Sequence, residues 1–218
     1  MHKLAEIIFY ELYVTGIDCK LGDFITNIST GSRPKGGAQN KGIPSIGAEK
    51  IERFGIYNYD SEKYISEEHY EKLKNGKVSS GDVLLYKDGA YTGKVSMALN
   101  GFPHQKCAVN EHVFIINTEN NWAKFYLYFI LFLEENKKRI YTMACGKAAQ
   151  PGLNQVELKS LDIKLAEECK IKEFEKEIGP IMNKIISNSL ENENLKQLRD
   201  TLLPKLMNGE IDLDKIEI

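Results

Sequence analysis

Apolar positions change rhythm near residue 168, and that change divides the chain. Over residues 171–206, Ile171, Phe174, Ile178, Ile181, Ile185, Asn188, Asn192, Leu195, Arg199, Leu202 and Leu206 recur in alternating three- and four-residue steps. That is the a/d seam of a coiled coil with a polar interruption at its middle. About 36 residues at 1.5 Å rise make a helix of about 54 Å. Propensity alone does not hold so long a helix, so its stripe needs a partner surface. Two surfaces would serve: a second helix, or the chain's own globular part. The first assigns Phe174, Ile178, Ile181, Ile185, Leu195, Leu202 and Leu206 to a dimerisation seam. Asn188 and Asn192 would cost stability there but set register. Gly179-Pro180 predicts a kink, Pro204 loosens the last turns, and Asn208-Gly209 supplies a stop.

Upstream the patterns are shorter. Leu4, Ile7, Ile8, Tyr10 and Leu12 predict a helix over residues 3–14, too short to stand alone. Residues 77–86 read as a turn followed by a buried strand and 93–99 as a second strand, with a third over 107–116 broken around Asn110. Residues 122–140 carry a helical apolar set (Phe125, Tyr128, Phe129, Leu131, Phe132) that ends in Lys137-Lys138-Arg139, which suits a helix C-terminus. Residues 30–43 are rich in Gly and basic side chains and read as an exposed loop. The expected fold is α+β: a short helix (1–14), a mixed α/β domain (15–168), and a long coiled-coil-type helix with a tail (169–218).

Of the 218 residues, 42% are hydrophobic and 28% charged, the composition of an ordinary soluble domain. No apolar run reaches the roughly 18 residues of a membrane span. The opening Met1-His2-Lys3-Leu4-Ala5-Glu6 lacks a cleavage site, so no signal peptide is expected. Cys19, Cys107, Cys145 and Cys169 are far apart, so reduced thiols in a cytoplasm are the default. The formal charge of −2 argues against a non-specific nucleic-acid coat. Charge is nevertheless uneven. Residues 31–53 carry five basic and two acidic side chains, and residues 137–159 five and one. From residue 169 onward there are eight basic and ten acidic. A polyanion site therefore belongs upstream of the long helix.

Catalytic chemistry finds little support. Gly89-Ala90-Tyr91-Thr92-Gly93-Lys94 is one residue short of a phosphate loop, and Val95 stands where a Ser or Thr should bind magnesium. A tight turn between strands is the better reading. His104, Cys107 and His112 lie close together but match no zinc spacing. No carboxylate pair, nucleophile–base pair or dinucleotide fingerprint stands out. Three polar loops remain: Arg33, Lys35, Gln39, Asn40 and Lys41; Lys87, Tyr91, Thr92 and Lys94; and Lys147, Gln150, Asn154 and Gln155. Arg and Lys suit phosphates and guanine edges, and Asn and Gln suit adenine edges. Each loop alone reads as solvated surface, while three in one domain make DNA reading plausible. Tyr91 and Lys94 are placed nearest the bases, against the alternative that Tyr91 packs on the domain. Asn154 reads better as a helix brace.

These residues also carry a resemblance. Leu21-Gly22-Asp23-Phe24-Ile25 with Thr30-Gly31-Ser32-Arg33-Pro34, and Gly42-Ile43-Pro44-Ser45-Ile46-Gly47, resemble the opening of a target recognition domain. Gly81-Asp82-Val83-Leu84-Leu85, Asp88-Gly89-Ala90-Tyr91-Thr92-Gly93-Lys94 and Ala108-Val109-Asn110-Glu111-His112-Val113 are similar to its centre. Gln150-Pro151-Gly152-Leu153-Asn154-Gln155-Val156-Glu157-Leu158 is similar to its close, and Leu198-Arg199-Asp200-Thr201-Leu202-Leu203-Pro204-Lys205-Leu206 to the helix that follows. The family is the DNA-specificity subunit of type I restriction–modification systems.

The resemblance implies a non-catalytic reader of double-stranded DNA that carries methyltransferase subunits, with a translocating nuclease subunit as a further partner. S-adenosylmethionine is expected on the methyltransferase, and no cofactor or metal on this chain. Family members hold two recognition domains apart with two long helices, whereas one of each is present here. A homodimeric half-subunit is preferred over a fragment, because a two-fold pair buries the stripe and suits an inverted-repeat site. The rival function is a coiled-coil adaptor or regulator of a methyltransferase that touches no DNA. A fused restriction enzyme fails on length.

Overall fold

The computed structural model describes residues 1–146 and 152–210. Its elements run in order α1 (His2–Tyr13), β1 (Ile17–Lys20), α2 (Leu21–Phe24), β2 (Asn27–Thr30), β3 (Ile43–Ile46), β4 (Tyr64–Ile65) and α3 (Glu67–Lys72). Next come β5 (Val83–Tyr86), β6 (Val95–Met97), β7 (Ala108–Val109), β8 (Val113–Asn117), α4 (Lys124–Phe132) and α5 (Glu134–Cys145). The last are α6 (Gln155–Lys159), β9 (Asp162–Leu165) and α7 (Glu168–Met207).

Among the described residues the strands form three small sheets, ordered β1-β9, β2-β8-β5-β6 and β4-β3-β7. The four-stranded sheet is a partition. Successive side chains of a strand point to opposite faces, so β5 sends Val83 and Leu85 into the large core and Leu84 into a smaller one. In the same way β8 sends Phe114 and Ile116 one way, Val113 and Ile115 the other. Burial on both faces is why these strands read as continuous apolar runs.

Two expected elements divide. The third strand is two, in different sheets: β7 pairs parallel with β3, while β8 lies between β2 and β5. Asn110 makes the change of direction. Its side chain accepts the His112 N–H at 2.9 Å, and its own N–H reaches the Ile46 carbonyl at 3.0 Å. The helix expected over 122–140 is also two, because Leu133 turns to an extended conformation between α4 and α5. Buried Asn136 stabilises the break by donating to the Ile130 carbonyl at 2.8 Å, one of the acceptors that a helix end leaves unpaired.

The α7 helix corrects the seam assignment. Its first half is part of the domain's own core. Phe174 and Ile178 are buried within the single chain, and Phe174 meets the rings of Phe9, Tyr126 and Phe129 at 6.0–6.1 Å. The buried set is Ile171, Phe174, Ile178, Met182 and Ile186, with Ile181 and Ile185 only half-buried. A straight helix on a fixed surface drifts away from a strict seven-residue repeat, so the contact moves one residue on. Pro180 and Pro204 lie inside the helix and neither ends it. Beyond Leu190 its apolar side chains leave the core, and Lys196 makes a last contact with the domain at Asp60, 3.5 Å away. Leu195, Leu198, Leu202, Leu203, Leu206 and Met207 are exposed, and Gly209 then takes a left-handed conformation (φ +69°). The α1 helix docks Ala5, Phe9 and Tyr13 on the core and leaves Leu4, Ile7, Tyr10 and Val14 exposed.

Candidate nucleic-acid interface

The turn between β5 and β6 is closed by the Tyr86 N–H on the Lys94 carbonyl and the Gly93 N–H on the Tyr86 carbonyl, each at 2.9 Å. Gly89 and Gly93 are left-handed (φ +116° and +99°), which only glycine adopts without strain. Thr92 donates its hydroxyl to the Gly89 carbonyl at 2.8 Å and is buried, at 6% exposure. Thr92 therefore braces the turn and is not presented to a duplex, which corrects its assignment as a contact. Tyr91 stands at the tip, 63% exposed. The Lys94 ammonium lies 4.8 Å from its ring centroid and pairs with Glu52.

Lys87, at the end of β5, is mostly buried. It pairs with Asp88 and lies 5.5 Å from the Phe114 ring centroid. Asp88 Oδ2 is 3.1 Å from His112 Nδ1, His112 Nε2 is 3.4 Å from Glu111, and Glu111 is 3.0 Å from Arg33. Arg33, Glu111, His112, Asp88 and Lys87 thus form one row that ties the 31–42 loop to the β5–β6 turn. The third segment joins the same edge. The Leu153 N–H reaches the Lys87 carbonyl at 2.9 Å, and Gly152 bridges Asp88. Lys147 and Gln150 lie outside the described residues. Asn154 makes a reciprocal cap on α6: its side chain accepts the Glu157 N–H at 2.9 Å, and Glu157 accepts the Asn154 N–H at 3.1 Å.

The 31–42 loop springs from a tight base, since a Cβ on Gly31 would lie 1.6 Å from the Val109 carbonyl oxygen. Arg33, Lys35, Gln39, Asn40 and Lys41 are all exposed. Gln39 is also anchored through its backbone to Tyr64, at 2.8 and 3.1 Å. Charge balance sorts the basic side chains. Arg33, Lys87 and Lys94 each face a carboxylate, whereas Lys35 and Lys41 have no ion pair among the described residues. Counting charges along a window overlooked this, because Glu111 and Asp88 come from other parts of the chain. The Glu111–His112–Asp88 link was the piece that sequence reasoning missed. Its signal was antiparallel register: Tyr86 pairs with Val113, which sets Asp88 and Glu111 at the same strand ends.

The other histidine of the early cluster sits elsewhere. His104 Nε2 is 2.6 Å from Glu62, which also accepts the Tyr57 hydroxyl at 2.7 Å. Cys107 is buried, and burial pushes its thiol up to about 12. His104, Cys107 and His112 do not converge. No helix among the described residues is long and apolar enough to cross a membrane.

Comparison with known proteins places this architecture. Residues 18–200 match the family model of the type I restriction modification DNA specificity domain. The type I restriction enzyme HindI specificity subunit of Haemophilus influenzae is 32% identical over 102 residues, which cover 47% of this chain and 22% of that protein. Among solved structures, the S subunit of a type I restriction-modification system from M. genitalium aligns with a TM-score of 0.61 at 14% identity, covering 94% of this chain and 53% of that one. The HsdS subunit of Thermoanaerobacter tengcongensis aligns at 0.50 and 15% identity, covering 96% and 51%. The chain thus spans about half the length of these structural relatives. They share its mixed α/β domain and long C-terminal helix. With most of its length matched by the family model, the chain belongs to the type I restriction modification DNA specificity domain family.

Proposed function

We propose that this chain is a sequence-specific DNA recognition component of a type I restriction–modification system and carries no catalytic centre of its own. The observation that supports this most is the meeting, on one edge, of two polar loops and the segment that begins at Gly152. The row from Arg33 to Lys87 passes through Glu111 and His112 and joins segments more than seventy residues apart in sequence. Such an edge, with exposed Lys35, Gln39, Asn40, Lys41 and Tyr91, combines phosphate-positioning and base-reading side chains. Its ion pairs hold the loops in place before DNA arrives, which lowers the ordering cost of binding.

The rest of the reading follows from α7. Its distal half touches the domain through Lys196 and Asp60 and leaves Leu195, Leu202 and Leu206 exposed at seam spacing, with Leu198 beside them. A second copy of this helix is the partner we assign, in a two-fold pair with two recognition domains facing an inverted repeat. Methyltransferase subunits, which hold S-adenosylmethionine, and a translocating nuclease subunit complete the complex in this proposal, in a cytoplasm.

Selection from a random duplex pool tests it, using the full chain mixed with the methyltransferase of the neighbouring gene. The expected result is two half-sites in inverted repeat with a fixed gap. A single asymmetric half-site would overturn the homodimer. No enrichment at low salt, with methyltransferase bound, would overturn DNA reading. The second reading, an adaptor that touches no DNA, draws on the carboxylates matched to Arg33, Lys87 and Lys94. Salt separates the two, because a DNA reader loses affinity steeply as counterions are recaptured.

A further inference from the structure

A second polar surface lies beside the 31–42 loop and none of the assignments above uses it. It is a cleft of 370 Å³ between residues 30–32 and the turn that follows α3, lined by Thr30, Ser32, His69, Lys72, Leu73, Lys74 and Asn75. The walls are pressed together at glycines: a Cβ on Gly76 would lie 2.3 Å from the Gly31 Cα. Gly31 is also the base of the loop that carries Arg33, Lys35 and Lys41. The cleft and that loop therefore share one base.

Apart from Leu73, the lining is cationic and hydrogen-bonding, and it contains no carboxylate. His69 is held by its backbone N–H on the Ser66 hydroxyl at 3.1 Å, while its ring Nε2 is buried with no partner. Lys74 is exposed and has no ion pair among the described residues. Lys72 pairs with Glu68, but both side chains are more than 70% exposed, so that pair exchanges readily for a stronger anion. Lys77 donates to the Glu71 carbonyl at 3.2 Å, which occupies one acceptor at the end of α3. No Phe, Tyr or Trp lines the cleft, so an extruded base would find no stacking platform.

We propose that this cleft seats a backbone phosphate of the bound duplex, with Lys74 supplying charge and the His69 ring N–H, Ser32 and Asn75 supplying hydrogen bonds. The assignment rests on the DNA-reading function and adds a positioning contact to it. It predicts uniform loss of affinity without change of sequence preference, since phosphate contacts carry no base information.

The test measures affinity of the full chain with its methyltransferase for the selected duplex, from 50 to 200 mM salt, for wild type, Lys74→Glu and His69→Gln. Thermal unfolding checks that the variants remain folded. Lys74→Glu should weaken binding about tenfold at low salt and lower the slope of log K against log salt by about 1. His69→Gln should weaken binding less, and both should select the same half-sites. Wild-type affinity and slope in both variants would overturn the cleft while leaving DNA reading intact. Failure of wild type to bind any duplex would remove both. A third arm titrates inorganic phosphate at constant ionic strength and follows the His69 ring by NMR. Saturable phosphate binding there, with DNA affinity indifferent to both substitutions, would make it a free-phosphate site and overturn the assignment.

Discussion

Glu175 sits where α7 crosses the start of α4, and its carboxylate does the work of a missing cap. Ala123 offers no side-chain cap to α4, and the Tyr126 N–H donates instead to Glu175 Oε1 at 2.8 Å. The other oxygen is buried without a partner. Burial pushes this carboxyl from 4.5 up to about 7. A folded-state value above the unfolded one means that the native state binds the proton more tightly. Stability is then lost as pH rises from about 4.5 through about 7. Glu175→Gln keeps an acceptor and removes the charge. It should stabilise the protein by about 2 to 3 kcal/mol at pH 8 and flatten the pH dependence across that window. Urea unfolding at pH 5 and pH 8 checks it; equal gains at both would show that charge burial is not the cause. His2 acts in the opposite sense. Burial lowers its imidazole to about 4 despite Glu6 at 3.1 Å, so its contribution is present above 6.5 and lost as pH falls toward 4.

One helix, α7, has two occupations. Ile178 is buried among the domain's aromatic side chains, whereas Leu198 is 53% exposed. Ile178→Ala should cost about 2 to 5 kcal/mol of unfolding free energy, as buried truncations do. Leu198→Asp should change that quantity by less than about 0.5 kcal/mol when both are unfolded at concentrations where wild type is monomeric, yet at higher concentration shift sedimentation from dimer to monomer. Equal unfolding losses in the two variants would mean that the distal half also packs on its own domain. Sequence periodicity showed the helix and its glycine stop, but not this division. An apolar stripe has the same spacing whether its partner is a second chain or the domain itself. The same limit applies elsewhere. Strand patterns identified β5 and β6, while the split of 107–116 between two sheets depends on which strand lies opposite. Of the candidate site, the loops were legible one by one from Gly, Arg, Lys, Asn and Gln. Their convergence through Glu111, His112 and Asp88 was not, nor the burial of Thr92, because both depend on contacts distant in sequence.

At the scale of the whole molecule, the proposed dimer makes helix length a ruler. Two copies of α7 lying antiparallel hold one recognition domain at each end. Their separation then grows by the rise of whatever is added to the two helices. Repeating residues 188–194 directly after Asn194 inserts one heptad, which preserves the seam because Leu195, Leu202 and Leu206 keep their spacing. Seven residues in each of the two copies move each domain outward by about 10 Å and so add about 21 Å in all, close to six base pairs at about 3.4 Å each. The half-sites themselves should not change, since the loops that read them lie within the domain. Six base pairs also turn the duplex by about 200°, and the coiled coil does not follow that rotation. The inserted protein should therefore select the same half-sites with a gap longer by about six base pairs, and bind them more weakly. Selection from a pool in which the gap varies, run beside wild type, reads both quantities. An unchanged gap would show that something other than α7 sets the spacing. Altered half-sites would show that the helix takes part in reading bases.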